Sequence, residues 1–169
     1  NASILAELKR NKTGSMQVFA STDSRGFEEE MLSKVDTSIR DIYKNFKLAV
    51  LEKRFLEPAG NCAEDYYTLL IQVEALLPLR GIMKRNYAAA LQDDAQQVIN
   101  DWIKIGGDHF TLSRIKQIEK YKNYPSLLNR AAALLGSEHY FYKPLIARKY
   151  FFEAYLLRMI NPVNFDEEL

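Results

Sequence analysis

The stretch "PSLLNRAAALLGSEHYFYKPLIARKYFFEAYLLRMI", residues 125–160, predicts two helices joined by a loop. Pro125 suits a first helical turn, where a missing backbone N–H costs nothing, and Gly136 suits the position just after a helix of residues 125–135. A second helix is expected from Pro144 to about Ile160. These two helices belong to the second of two predicted helix-turn-helix units, at about residues 63–104 and 111–160, which predict a fold of antiparallel helical hairpins.

The rest of the chain has the same character, because its apolar residues recur at steps of three and four, the period of an amphipathic helix. Pro78 is expected to end or kink the second of these helices, since proline clashes with the preceding turn. A sustained two-residue period, the mark of a strand, is missing from the sequence. The further helices are predicted at about residues 27–57, 63–80, 87–104 and 111–121. We therefore predict an all-α protein of about six helices.

The chain length of 169 residues fits a single domain. Residues 1–26 are rich in Ser, Thr, Asn and Gly and predict a partly irregular N-terminal arm. Residues 27–162 are assigned to one all-α domain, and residues 163–169 to a C-terminal tail.

Composition narrows the classes of partner. The 23 basic and 22 acidic residues leave a formal charge of +1, whereas a nucleic-acid binder needs a clustered excess of Lys and Arg. No apolar run approaches the roughly 18 residues needed to span a bilayer. The sequence therefore favours a soluble protein that does not bind nucleic acid. Two locations fit the sequence: the cytoplasm, or an exported location reached after removal of a leader.

Two segments resemble the tetratricopeptide repeat family. Ala147, Phe151 and Ala154 have the spacing of the small and aromatic residues in the second helix of such a repeat, and "NYAAAL", residues 86–91, is similar to the entry into that helix. The resemblance implies stacked helical hairpins with a concave face that docks a peptide or a partner. An irregular helical bundle is the alternative architecture.

Catalytic and metal-binding signals are weak. His109 and His139 each have one acidic neighbour, but adjacent helical residues point apart and chelate poorly. Cys62, the one cysteine of the chain, is expected to be a half-buried thiol whose acidic neighbours raise its pKa. Phosphate-binding glycine motifs are missing as well. We expect no enzyme, no metal and no cofactor.

The aromatic residues between 135 and 157 divide into two groups. The segment from Gly136 to Lys143 is predicted as a loop whose Tyr140 and Tyr142 contact a partner. The helix that follows is apolar around most of its circumference, which predicts a core helix packed on several sides. A surface for a partner or for self-association is the alternative for this helix.

The function predicted from the sequence is a non-enzymatic protein-interaction module that docks a peptide, a helix or a domain in a groove between helices. The expected contact residues are aromatic or basic: Tyr66, Arg80, Arg85, Tyr87, Tyr140, Tyr142 and Arg148. The alternative is a ligand-binding or sensory bundle with a small-molecule pocket near Trp102.

Overall fold

The computed structural model describes residues 22–105 and 113–161, with side chains described from residue 25 to 100 and from 113 to 161. These residues form seven α-helices and one 3₁₀ turn, and they contain no strand. The helices are α1 (Thr22–Ser33), α2 (Thr37–Leu51), α3 (Ala63–Leu70), α4 (Leu77–Ile105), α5 (Arg114–Tyr121), α6 (Tyr124–Leu135) and α7 (Tyr142–Ile160), and the 3₁₀ turn is Glu74–Leu76. The all-α prediction is confirmed.

The helix predicted over residues 27–57 is wrong, because two helices occupy this region. Asp36 caps the second of them: its Oδ1 accepts hydrogen bonds from the backbone N–H of Ile39 at 3.0 Å and from the Ser38 hydroxyl at 2.6 Å. A side-chain acceptor at this position satisfies an amide that has no partner inside the helix, so it favours a new start. Helix α1 begins at Thr22, within the predicted arm.

The predictions for Pro78 and for a separate helix over 87–104 are also wrong. Pro78 lies in the first turn of α4, where its missing N–H is not needed, and the helix continues unbroken to Ile105. The 29 residues of α4 span about 44 Å. The 3₁₀ turn precedes α4 and packs its Leu76 into the core.

The two helices predicted within residues 125–160 are present and pack against each other as a hairpin. Gly136 follows α6 with φ of 89°, a conformation that favours glycine, and its N–H donates to the Ala132 carbonyl at 2.9 Å. Helix α7 begins at Tyr142, two residues before the predicted start, so that Pro144 stands within its first turn. The ring of Tyr124 at the start of α6 stacks on Phe152 in α7 with centroids 4.9 Å apart. The two helices are therefore antiparallel.

Helix α6 lies between α4 and α7, and α2 packs on α3. Two positions fix the direction of α4 against α6: Asp94 lies beside Tyr124, and Tyr87 lies within electrostatic reach of Arg130. Because the numbers rise along α4 while they fall along α6, these helices are antiparallel too.

The core beside α4 is aromatic. The Tyr87 ring lies 5.7 Å from Phe46 and 5.5 Å from Tyr67, centroid to centroid, and its hydroxyl donates to the backbone carbonyl of Phe55 at 3.0 Å. Burial raises the pKa of the Tyr87 phenol far above its ordinary value. This cluster anchors α2, α3 and the loop after α2 to α4.

Candidate partner-binding surface

Helix α7 has a buried side and an exposed side, and both are apolar. Leu145 and Phe152 are completely buried and face the rest of the protein. On the other side Tyr150 is 59% exposed, Phe151 is 49% exposed and Leu157 is 61% exposed. Large side chains are normally exposed singly, so a cluster of them on one helix marks a possible contact surface.

The exposed residues follow the period of the helix. Ala147, Tyr150, Phe151, Ala154 and Leu157 recur at steps of three and four, and both alanines are exposed. We call these five residues the α7 face. It runs about 15 Å along the helix, with small alanines alternating with large side chains. Ridges and hollows of this kind accept the side chains of another helix.

The prediction that α7 is packed on several sides is therefore wrong. The helix is apolar around most of its circumference, as its sequence indicates, but α5 and α6 cover one side of it. Tyr150, Phe151 and Leu157 are surface residues that were not predicted as contacts from the sequence. The available signal was the alternation of alanine and large residues at steps of three and four, which occurs in buried helices and docked helices alike.

The size of the α7 face sets the scale of a possible interaction. Covering the exposed fractions of Tyr150, Phe151 and Leu157 would remove on the order of 300 Å² from water. At about 25 cal/mol per Å² this burial is worth about 8 kcal/mol before the costs of association are subtracted. The α7 face is thus large enough to form the centre of a specific contact.

A groove along α6 is a second candidate site. It consists of a depression of about 390 Å³ and another of about 540 Å³ that share Leu56 and Ser126 in their walls. Ion pairs join the walls: Lys53 pairs with Asp94, and Arg130 pairs with Glu64 through two contacts of 2.7 Å. A ligand would have to compete with these internal pairs. The seven contact residues predicted from the sequence line neither depression.

Four of the predicted contact residues lie on α3 and α4. Tyr87 is completely buried, so its prediction as a residue accessible to a partner is wrong. The other three retain some exposure: Tyr66 is half-buried and its hydroxyl donates to the Asn61 side chain at 2.7 Å, Arg80 is half-buried, and Arg85 is exposed. None of these four belongs to the α7 face.

The other three lie near the start of α7. Tyr140 is exposed in the turn, with its ring stacked on His139 at a centroid distance of 4.7 Å. Tyr142 is half-buried and is the first residue of α7, so its prediction as a loop residue is wrong. Arg148 is half-buried on the inner side of the helix, and burial lowers the pKa of its guanidinium. Tyr140 is thus the most accessible of the three.

The thiol of Cys62 is fully buried and donates to Asp65 Oδ2 at 2.8 Å. Burial and this hydrogen bond raise the pKa of the thiol, so its nucleophilic thiolate is disfavoured.

His139 Nδ1 accepts from the Phe141 backbone N–H at 3.2 Å. Among the described residues no three His, Cys, Asp or Glu side chains are grouped to hold a metal ion. His109 and the Trp102 side chain lie outside the described part of the chain.

The residues that carry the tetratricopeptide resemblance fall in two environments. Ala147, Phe151 and Ala154 belong to the exposed α7 face, whereas Tyr87 and Ala90 are buried in the core.

Throughout the described ranges, no helix is both long enough and apolar enough to cross a bilayer.

Comparison with known proteins gives no further guide to identity. Neither a family model, nor a curated protein, nor a solved structure matches the chain significantly.

Proposed function

We propose that the protein is a non-enzymatic interaction module that docks a partner helix on the α7 face. One observation carries this proposal: three large apolar side chains, Tyr150, Phe151 and Leu157, are each about half or more exposed on one side of one helix. Burying the exposed fractions of these side chains is worth the energy estimated above, and a docked partner supplies that burial.

A helix is the partner element that fits the spacing. The exposed residues form a row along the α7 axis. When two helices pack together, side-chain rows at steps of three and four on one helix fit into the grooves of the other. Ala147 and Ala154 allow a second helix to approach between the larger side chains. The site differs from the groove between helices that the sequence predicted, whose counterpart along α6 is lined by charges that pair with each other.

Site-specific photo-crosslinking in the producing cell tests the proposal. Benzoylphenylalanine at position 151 should crosslink to a discrete partner, which mass spectrometry identifies and purification then tests for direct binding. The matched control places the same group at position 69, because Leu69 on α3 is similarly exposed, at 54%, and lies outside the α7 face. Equal crosslinking from both positions, or none from position 151, would contradict the proposal.

A further inference from the structure

The charged residues at the ends of the α7 face have the same sign. Lys143 precedes the face and Arg158 ends it; both are exposed, and they lie about 22 Å apart along the helix. Arg114 adds a third cation at the C-terminal end, where its Nη2 donates to the Ile160 carbonyl at 2.9 Å. The one acidic residue of α7, Glu153, lies on the flank of the helix and pairs with Lys149 at 3.5 Å.

This charge pattern disfavours a second copy of the chain as the occupant. An antiparallel pairing centred between Tyr150 and Phe151 places Lys143 of one copy opposite Arg158 of the other. A parallel pairing places each cation opposite itself, so both arrangements bring like charges together.

Resting on the proposed function, we propose that the partner is an acidic amphipathic helix. Its apolar row covers the α7 face, and carboxylates about 15 residues apart pair with Lys143 and with the Arg158–Arg114 end. Complementary charge at both ends fixes the register of the docked helix and speeds association, while the apolar row supplies affinity. The three cations are exposed, so screening by salt weakens their contribution.

Two labelled 18-residue helical peptides test this inference by fluorescence anisotropy. They share one apolar row at steps of three and four and carry either glutamates or lysines at both ends. The wild-type protein should bind the acidic peptide at least tenfold more tightly than the basic one, and 0.5 M NaCl should shrink this ratio. The Lys143→Glu, Arg158→Glu double variant should reverse the preference. The control, Arg40→Glu with Lys44→Glu on the exposed surface of α2, should leave it unchanged.

The outcomes separate this inference from the proposed function. Equal binding of the two peptides, lost in a Phe151→Ala, Leu157→Ala variant, overturns the charge inference and leaves the proposed function standing. Binding of neither peptide overturns both. If sedimentation equilibrium shows a dimer, and the Phe151→Ala, Leu157→Ala variant abolishes it, the occupant is a second copy and the inference is overturned.

The chain's own acidic C-terminal segment, which contains Asp166, Glu167 and Glu168, is the remaining competitor. A chain that ends at Asn161 should bind the acidic peptide as the full chain does. At least tenfold tighter binding by the shortened chain would identify residues 162–169 as the occupant and would overturn the inference.

Discussion

Phe151 and Phe152 are adjacent, chemically identical and placed on opposite sides of α7, so they form a matched pair of mutations. Phe152 is completely buried, and its ring stacks on Tyr124 at 4.9 Å and lies 6.4 Å from Tyr121. Replacing such a residue by alanine leaves a cavity and costs about 3–5 kcal/mol in the free energy of unfolding. Phe151 is 49% exposed, so the same replacement removes about half of a side-chain burial, about 1–1.5 kcal/mol, without a closed cavity.

Urea denaturation followed by circular dichroism measures the difference. The Phe152→Ala protein should be less stable than the Phe151→Ala protein by about 2 kcal/mol or more. With a denaturant slope of about 2 kcal/mol per M for a chain of this size, the midpoints should differ by roughly 1 M urea. Equal losses from both substitutions would show that the outer side of α7 is packed in solution, and the proposed docking surface would be refuted.

Three further predictions concern the core and the caps. Tyr87→Phe removes the hydroxyl that donates to the Phe55 carbonyl and should lower the free energy of unfolding by about 1 kcal/mol in urea titrations, whereas an unchanged midpoint would contradict that hydrogen bond. Asp36→Ala should lower the melting temperature by a few degrees at pH 7. Hydrogen bonds from Ser38 and from the Ile39 amide hold the pKa of Asp36 below its usual 3.8, so its contribution is present above that pH and is lost as the pH falls through the folded-state value. The wild type and the variant should therefore converge as the pH falls below the folded-state pKa, and a difference that stays constant with pH would argue against the cap. Cys62 should react with Ellman's reagent at pH 8 at least tenfold more slowly in the native protein than in urea, because burial raises the pKa of its thiol; equal rates would place the thiol at the surface.

The sequence predicted the fold class and the two helices within residues 125–160 because helical period, proline in a first turn and a terminal glycine all agree there. The predictions are wrong where one residue type occurs in two structural contexts. A proline can break a helix or stand in its first turn. Pro78 stands in the first turn of α4, directly after the 3₁₀ turn that places Leu76 in the core. Asp36 begins a helix inside an apolar stripe that stays in phase across the break, so the stripe alone predicts one helix.

The α7 face shows a different limit. Phe151 and Phe152 are the same residue type and have nearly the same neighbours in sequence, yet one is half exposed and the other is buried. The exposure of each ring depends on where α5 and α6 pack, which is a property of the tertiary structure. Tyr87 shows the opposite error. It was predicted as a partner-contact residue because it is aromatic, but it lies at the centre of an aromatic cluster in the core.

Docking on the α7 face is tested directly by the affinity of the acidic helical peptide for the wild-type protein and for the Phe151→Ala, Leu157→Ala variant. The matched control is Leu69→Ala, which removes a similarly exposed side chain from α3. Docking on the α7 face predicts that the double variant binds at least tenfold more weakly, while the control binds as the wild type does. Equal affinities of the peptide for the wild type and the double variant would show that it does not dock on the α7 face.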